Sequence, residues 1–445
     1  MASKYDKNTH FRDQRFRMTV SPLIKLKPCF IFLALFTLPL HATTVLEEHD
    51  FTFERVLKQA FLHNLGLQIE VEQLAIQQHK EVAAFRKFLP ALSLNTSRNQ
   101  TAYHSEGQQR ELSYYSSRIN ITQVIYHPAL WAGWKKSELT QKQADYILQR
   151  KQQSLLFELK KAWYTLLAER QINLEAQASL KRLIQHQKNA EAFFKNGKIW
   201  RNDVLQAKVR VAKGERDLFA ANNRLEVAKS EINLILNRDI TLALNPIGKL
   251  TKVYFKSSLK PLLNQALDNR LELKQSALDI NLAQQDVALS SAKLKPTLNF
   301  SLSSSVNSEN IDYRDAIADV EFNLALNWDF WQWGQTKREI NAAEGNVTVK
   351  KLSYAQKKAI TLIEVKKAYL TVIESQKSLH VAEQALDQAK ENFRVSQIRY
   401  QEQLGSSNDV LDAQDLLTQT RNDRTSALSR YLTALAELHF AIGLS

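Results

Sequence analysis

One cysteine, Cys29, stands in a chain of 445 residues, and it falls near the N-terminus. A disulfide framework is therefore excluded. Glycine occurs ten times and proline eight times, too few for the turns that two or three globular domains would need. The stretches 134–236 and 334–445 hold no proline, so nothing there obliges a helix to break. Beyond residue 42 no apolar run reaches 18 residues, which excludes a membrane-spanning helix. If such a chain enters a membrane, it must do so as strands. Also missing are a glycine-rich phosphate loop, ligand-like histidine spacing and any His or Lys close in sequence to the Asp409/Asp412 pair. No catalytic residue, metal site or cofactor is expected, and His186 and His380 read as surface residues.

Lys and Arg outnumber Asp and Glu by 60 to 46. They are scattered along helical stretches without a basic block, which is a solvated helix surface and not a nucleic-acid footprint. Lys25 and Lys27 precede a mostly apolar run from Cys29 to Leu40, and Leu40-His41-Ala42 is an acceptable cleavage site. Residues 1–42 therefore read as an export signal, with Met18 a second candidate start because the basic stretch before it is atypical. Cys29 lies at the head of the apolar run, so it is not a lipid-anchored first residue of the mature chain.

The chain also repeats itself at an offset of 206. Glu158-Leu-Lys-Lys-Ala returns as Glu364-Val-Lys-Lys-Ala, Asn202-Asp-Val-Leu-x-Ala207 as Asn408-Asp-Val-Leu-x-Ala413, and Pro90 as Pro296. A fixed register over that span marks a duplicated structural unit. The unit reads helix, strand pair, very long helix, shorter helix. Repeat 1 is assigned to 43–240, an inter-repeat linker to 241–262 and repeat 2 to 263–445.

Val320, Phe322, Leu324, Leu326 and Trp328 alternate with Asp319, Glu321, Asn323, Ala325 and Asn327, a period of two with one apolar and one wet face. Strands are expected at about 91–105, 111–127, 297–308 and 317–331. Trp131, Trp134, Trp328, Trp331 and Trp333 cluster where each strand pair gives way to a long helix. They read as an aromatic belt at a lipid–water boundary, with core packing at a strand–helix junction as the other reading. Four strands leave two open edges, and membrane barrels begin at about eight strands, so the chain must oligomerise if its strands lie in lipid. The long helices, about 134–195 and 335–403, carry thin apolar seams such as Leu155, Leu159, Ala162 and Leu166 between polar faces. That composition suits the wall of a water-filled cylinder; a trimeric structural or adhesive coiled coil of the envelope is the alternative.

Duplication, two strand pairs, long and short helices and the repeated Asn-Asp-Val-Leu-x-Ala together resemble the TolC-like outer-membrane efflux and secretion channels, over about residues 50–443. The stretch Arg399-Tyr400 to Asp409-Val-Leu-Asp412-Ala413 carries the most recognisable part of that likeness. The resemblance implies a mainly α fold with a β-barrel portion. As a homotrimer it forms a 12-stranded outer-membrane barrel continuous with a periplasmic α-helical barrel, in a Gram-negative cell. It implies an exit duct for tripartite efflux or type I secretion, in contact with outer-membrane lipid. A periplasmic adaptor (membrane fusion) protein and an inner-membrane transporter of RND, ABC or MFS type would be its partners.

It further implies that Asp409 and Asp412 ring a pore gate, although Asp409 equally suits a helix N-terminus. Asp203, Tyr400 and Asn202 correspond to a hydrogen-bond network at the tip. The family's tip glycine is Gln403 in repeat 2 and Gly197 in repeat 1, and the family's gate arginine is replaced by Gly405. Arg201 or Arg399 is the expected substitute.

Overall fold

The computed structural model describes residues 50–105, 108–309, 311–312 and 315–444. The export signal, Met18 and Cys29 lie outside them. The first half runs β1 (Asp50–Phe51), α1 (Phe53–His63), α2 (Leu65–Arg86), β2 (Ala91–Ser105), β3 (Gln108–Tyr126), α3 (Pro128–Lys195) and α4 (Arg201–Ile235). The second runs β4 (Asn245–Pro246), α5 (Leu259–Asn269), α6 (Leu271–Ala292), β5 (Thr297–Ser308), β6 (Ile317–Asn327), α7 (Gln335–Gln401) and α8 (Ser407–Ala441). The starts and ends of α1, α2 and α4 recur at the offset of 206 in α5, α6 and α8. Two helices, not one, precede each strand pair, because Asn64 and Arg270 adopt extended backbone and split them. The expected linker 241–262 cuts into α5, whose first turn begins at Leu259.

Helices in both halves are capped by their own sequence. Asn64 accepts the Leu67 N–H at the start of α2, and Ser406 accepts the Asp409 N–H at the start of α8. Pro128 stands at the first turn of α3, where its missing N–H costs nothing. The 68-residue α3 is about 100 Å long at about 1.5 Å per residue.

The large sheet has the order β2-β3-β5-β6, all antiparallel. Its register decides what each face carries. Leu92 pairs with Ile121, Ile121 with Leu302 and Leu302 with Phe322. Leu298 pairs with Leu326, and Phe300 with Leu324. Because successive side chains alternate, all of these share one face. The other face carries Ser93, Asn120, Ser303 and Glu321 in one row, and Thr122, Ser301 and Asn323 in the next. No helix covers the apolar face: Leu92 is 73%, Phe322 72% and Leu324 65% exposed.

Each strand of the large sheet joins a helix at one end, and the helices keep the strands' order, α2 on α3, α3 on α6 and α6 on α7. Further along, α8 lies between α3 and α7 while α4 packs on α3. The short helices are stacked end to end, α2 on α4 and α6 on α8. Asn64 donates to the Ile235 carbonyl, and Arg270 donates to the Ala441 carbonyl at 2.9 Å. Two apolar cores flank these junctions. One gathers Val56, Ala60, Leu155, Leu159 and Ile232, the other Ala266, Val365, Leu379, Leu428 and Tyr431. The expected seam of α3 is thus buried against α1 and α4.

The second junction is built on charge. Arg270 is buried, ion-paired to Glu272 at 3.1 Å and to Glu364 on α7, while Arg150 on α3 pairs with Glu272 at 2.7 Å. Burial lowers the Arg150 pKa to about 10, against the raising effect of Glu272. Removing Arg270 leaves Glu364 without its partner, leaves Glu272 with Arg150 alone and takes the donor from the Ala441 carbonyl. Arg270→Ala is therefore expected to lower stability by about 3–5 kcal/mol. Chemical unfolding followed by far-UV circular dichroism measures it, and a loss below about 1 kcal/mol would show the cluster to be no more than a surface pair.

Candidate functional site: the helical tip and the apolar sheet

Two helical hairpins form the end of the molecule remote from the sheet. The α3–α4 turn closes at Gly197, φ +70°, with the Lys198 N–H bonded to the Phe193 carbonyl. The α7–α8 turn has the same form, the Leu404 N–H bonding the Arg399 carbonyl, but Gln403 takes the left-handed position at φ +62°. A side chain there costs roughly 1–2 kcal/mol that glycine avoids. The departure seen in the sequence is thus a strained turn with unchanged geometry.

Asp409 is the third residue of α8, and its carboxylate accepts the Ser406 N–H at 2.9 Å. That bond, then the Ser406 hydroxyl and then Arg399, hold its pKa below the ordinary carboxylate value. Asp409 is therefore a helix cap whatever else it does. Asp203 does the same for α4, accepting the Trp200 N–H at 3.2 Å. Asp412 lies one turn beyond Asp409 and pairs with Arg210 of α4 at 2.7 Å. Arg210 also holds Asp415, which Lys213 contacts at 3.2 Å.

The expected Asp203–Tyr400–Asn202 network does not form within the chain. Asp203 is committed to its cap, Asn202 lines a shallow groove between α4 and α8 with Arg210 and Asp412, and the buried Tyr400 hydroxyl has no hydrogen-bond partner of good geometry among the described residues. Tyr400 packs instead against His186 and Phe193, ring centroids 5.1 and 5.6 Å away. His186 is not a surface residue: it is buried, with Nε2 2.8 Å from the Ser407 hydroxyl. Its sequence gave no sign of this, because its burial comes from α7 and α8, more than 200 residues away. His380 is exposed. Arg201 and Arg399 make no ion pair among the described residues; the charged contacts between the hairpins are made by Arg210 and Lys213 with Asp412 and Asp415, and farther from the tip by Arg421 with Glu175, residues that sequence reasoning missed as a set.

The tryptophans divide. Trp131 and Trp134 belong to the first turns of α3 and form a cluster with Phe85 and Phe88, Trp134 donating to Glu81 at 2.6 Å. Trp134 is packing between helices, because the aromatic end of α2 covers it. Strand β6 stops at Asn327, short of 331, so Trp328, Trp331 and Trp333 lie in the loop to α7 and are exposed. Trp333 has φ +48° just before Gly334 at +80°, a backbone that leaves the ladder and points the aromatics outward.

An apolar sheet face without a protein cover, strands joined to helices, and a polar helical extension fit a chain whose strands meet lipid and whose helices stand in water. Residues 262–444 match the profile of the family described as outer membrane efflux protein. Outer membrane protein TolC of Salmonella enteritidis is 20% identical over 405 residues, 87% of this chain and 81% of that protein. Alkaline protease secretion protein AprF of Pseudomonas aeruginosa is 23% identical over 394 residues, 83% and 81% of the two. In fold, the CmeC outer membrane channel of Campylobacter jejuni aligns with a TM-score of 0.77 at 13% identity, covering 88% of this chain and 85% of that one. In sequence and in fold the chain is thus similar to the TolC-like outer-membrane efflux channels.

Burial alone lowers the His186 pKa. Arg182 and Glu191 on α3, Asp203 on α4, Arg399 on α7 and Asp409 and Asp412 on α8 are the nearby charges, and none forms an ion pair with the imidazole. The packed tip therefore binds fewer protons than a loosened one. Its stabilisation is full above the ordinary histidine value of about 6.5 and is lost as pH falls through the lowered one. Protection factors of the amides of residues 183–190 and 400–411, corrected for the pH dependence of intrinsic exchange, should fall between pH 7 and about pH 5 in the natural protein and stay level in His186→Gln. An equal fall in both would assign the effect to another group.

Proposed function

We propose that the protein is the outer-membrane exit duct of a tripartite efflux or type I secretion system. It acts as a homotrimer with a periplasmic adaptor and an inner-membrane transporter, and carries no catalysis of its own. One observation supports this above the rest: a four-stranded sheet with one apolar face and open outer edges at β2 and β6. Each unpaired backbone group in hydrocarbon costs several kcal/mol, so those edges must pair with other copies of the chain. Three copies give twelve strands. The helix order supports the same closure. It sets α7 of one copy beside α2 and α4 of the next, and these helices bear exposed apolar residues such as Ile69, Val209, Phe219, Ile363 and Leu370.

In that trimer the apolar face meets lipid, and Trp328, Trp331 and Trp333, with Trp131 beside them, stand at its lower boundary. The wet face of Ser, Thr and Asn lines the lumen. Asp409 and Asp412 narrow the aperture at the helical tip, Asp409 as cap and charge at once. A structural coiled coil would have no use for an uncovered apolar sheet.

Detergent-purified mature protein should be a trimer that gives small, steady currents across a planar bilayer. Asp409→Asn/Asp412→Asn should enlarge the currents or weaken their cation selectivity by altering the charge at the narrowest layer. Currents indifferent to the change would remove the gate assignment, and a folded trimer without current would remove the channel.

A further inference from the structure

We infer that Arg210 is a selectivity-determining residue: together with Lys213 it cancels the charge of Asp412 and Asp415, so the tip aperture is electrically balanced and not a plain ring of aspartates. The inference rests on the channel reading above and sharpens it.

The argument starts from spacing. Asp409, Asp412 and Asp415 step by three along α8, which places them as a stripe on one side of that helix. Read from sequence, the stripe is three carboxylates per chain and nine per trimer. The fold sets α4 of the same chain alongside it. Arg210 reaches across with both arms of its guanidinium, Nη2 donating to Asp412 Oδ1 at 2.7 Å and Nη1 to Asp415 Oδ2. Lys213, three residues on, donates to Asp415 Oδ2 at 3.2 Å. Two cations thus face two of the three anions.

The arrangement is built on α4 and not on mobile surface chains. The Arg210 side chain is 29% exposed, and it borders the grooves on both sides of the contact, with Gln206 and Val209 tipwards and Gly214 and Asp217 on the other side. Gly214 sets the depth, because a Cβ there would meet the Leu183 side chain at 2.9 Å, so α4 and α3 approach closely at this level. The Asp412 side chain is 70% exposed, so its charge is felt by passing ions and so is that of its partner. Exposed pairs of this kind add little stability. Their effect is on potential: a permeating ion meets the sum of the charges within about a Debye length, roughly 8–10 Å. Arg210, Lys213, Asp412 and Asp415 together contribute no net charge per chain, leaving Asp409 as the carboxylate of the stripe without an ion-pair partner among the described residues.

The test is the reversal potential of single channels in a salt gradient, with block by a trivalent cation as a second reading. Arg210→Gln should raise the cation-to-anion permeability ratio about fivefold, the factor that one unit charge a few ångströms away in water supplies, and should tighten trivalent block. Both effects should shrink in high salt. Arg210→Lys keeps the charge and should stay near the natural ratio. Lys213→Gln should shift it the same way as Arg210→Gln and serves if the latter fails to assemble. An unchanged ratio in Arg210→Gln and Lys213→Gln overturns the inference while leaving the channel in place. Equal shifts in Arg210→Gln and Arg210→Lys also overturn it, since charge would then not be the cause. A folded trimer without current in every form removes the channel reading and this inference with it.

Discussion

The hydrogen-bonding demand of the two edge strands is the constraint on which the rest depends. β2 and β6 each present a row of N–H and C=O groups away from the sheet, beside a face made of Leu, Ile, Val and Phe. In water those groups would be solvated but the apolar face would be exposed; in lipid the face is satisfied and the edges are not. Only closure through further copies meets both demands. Because each strand joins a helix in the same lateral order, closing the sheet also closes the helices into a cylinder, without any separate device.

The duplication makes that closure possible and is not perfectly symmetric. α8 lies between α3 and α7 and buries residues such as Leu411, Gln414, Leu417 and Leu428 on its two sides. α4 packs on α3 and leaves Val209, Phe219 and Val227 exposed. Similar sequence motifs therefore sit in different surroundings. Asn202-Asp203 and Asn408-Asp409 cap their helices alike, yet only the second begins a stripe of aspartates facing a neighbouring arginine. The seam between α6 and α8 is the other break in symmetry, where Arg270 replaces Asn64 and a charged cluster stands in for a simple cap.

Much of the fold was legible because it depends on local pattern. Alternation from Val320 to Leu326 gave a strand and its apolar face, the absence of proline gave the long helices, and the offset of 206 gave the duplication. The end of β6 was misread because Trp328, Phe330 and Trp331 favour strands by residue type, whereas the loop is decided by lack of a ladder partner below Thr297. The site was legible in part. Asp409 could be assigned both roles, cap and gate, and the structure confirms the cap. His186 and Arg210 were not singled out as functional, since each is defined by a partner more than 200 residues away.

By itself, the order of residues determined periodicity, repeat and helix length, which are properties of near neighbours along the chain. It determined that any membrane segment would be β and that one chain could not complete it. Tertiary structure decided which charges meet. Arg210 finds Asp412, Arg270 finds Glu364, and Ser407 finds His186 because α8 is inserted between α3 and α7, and no local pattern encodes that insertion. Electrostatics and burial depend on distance in space, so the character of the tip could be known only once the hairpins were side by side.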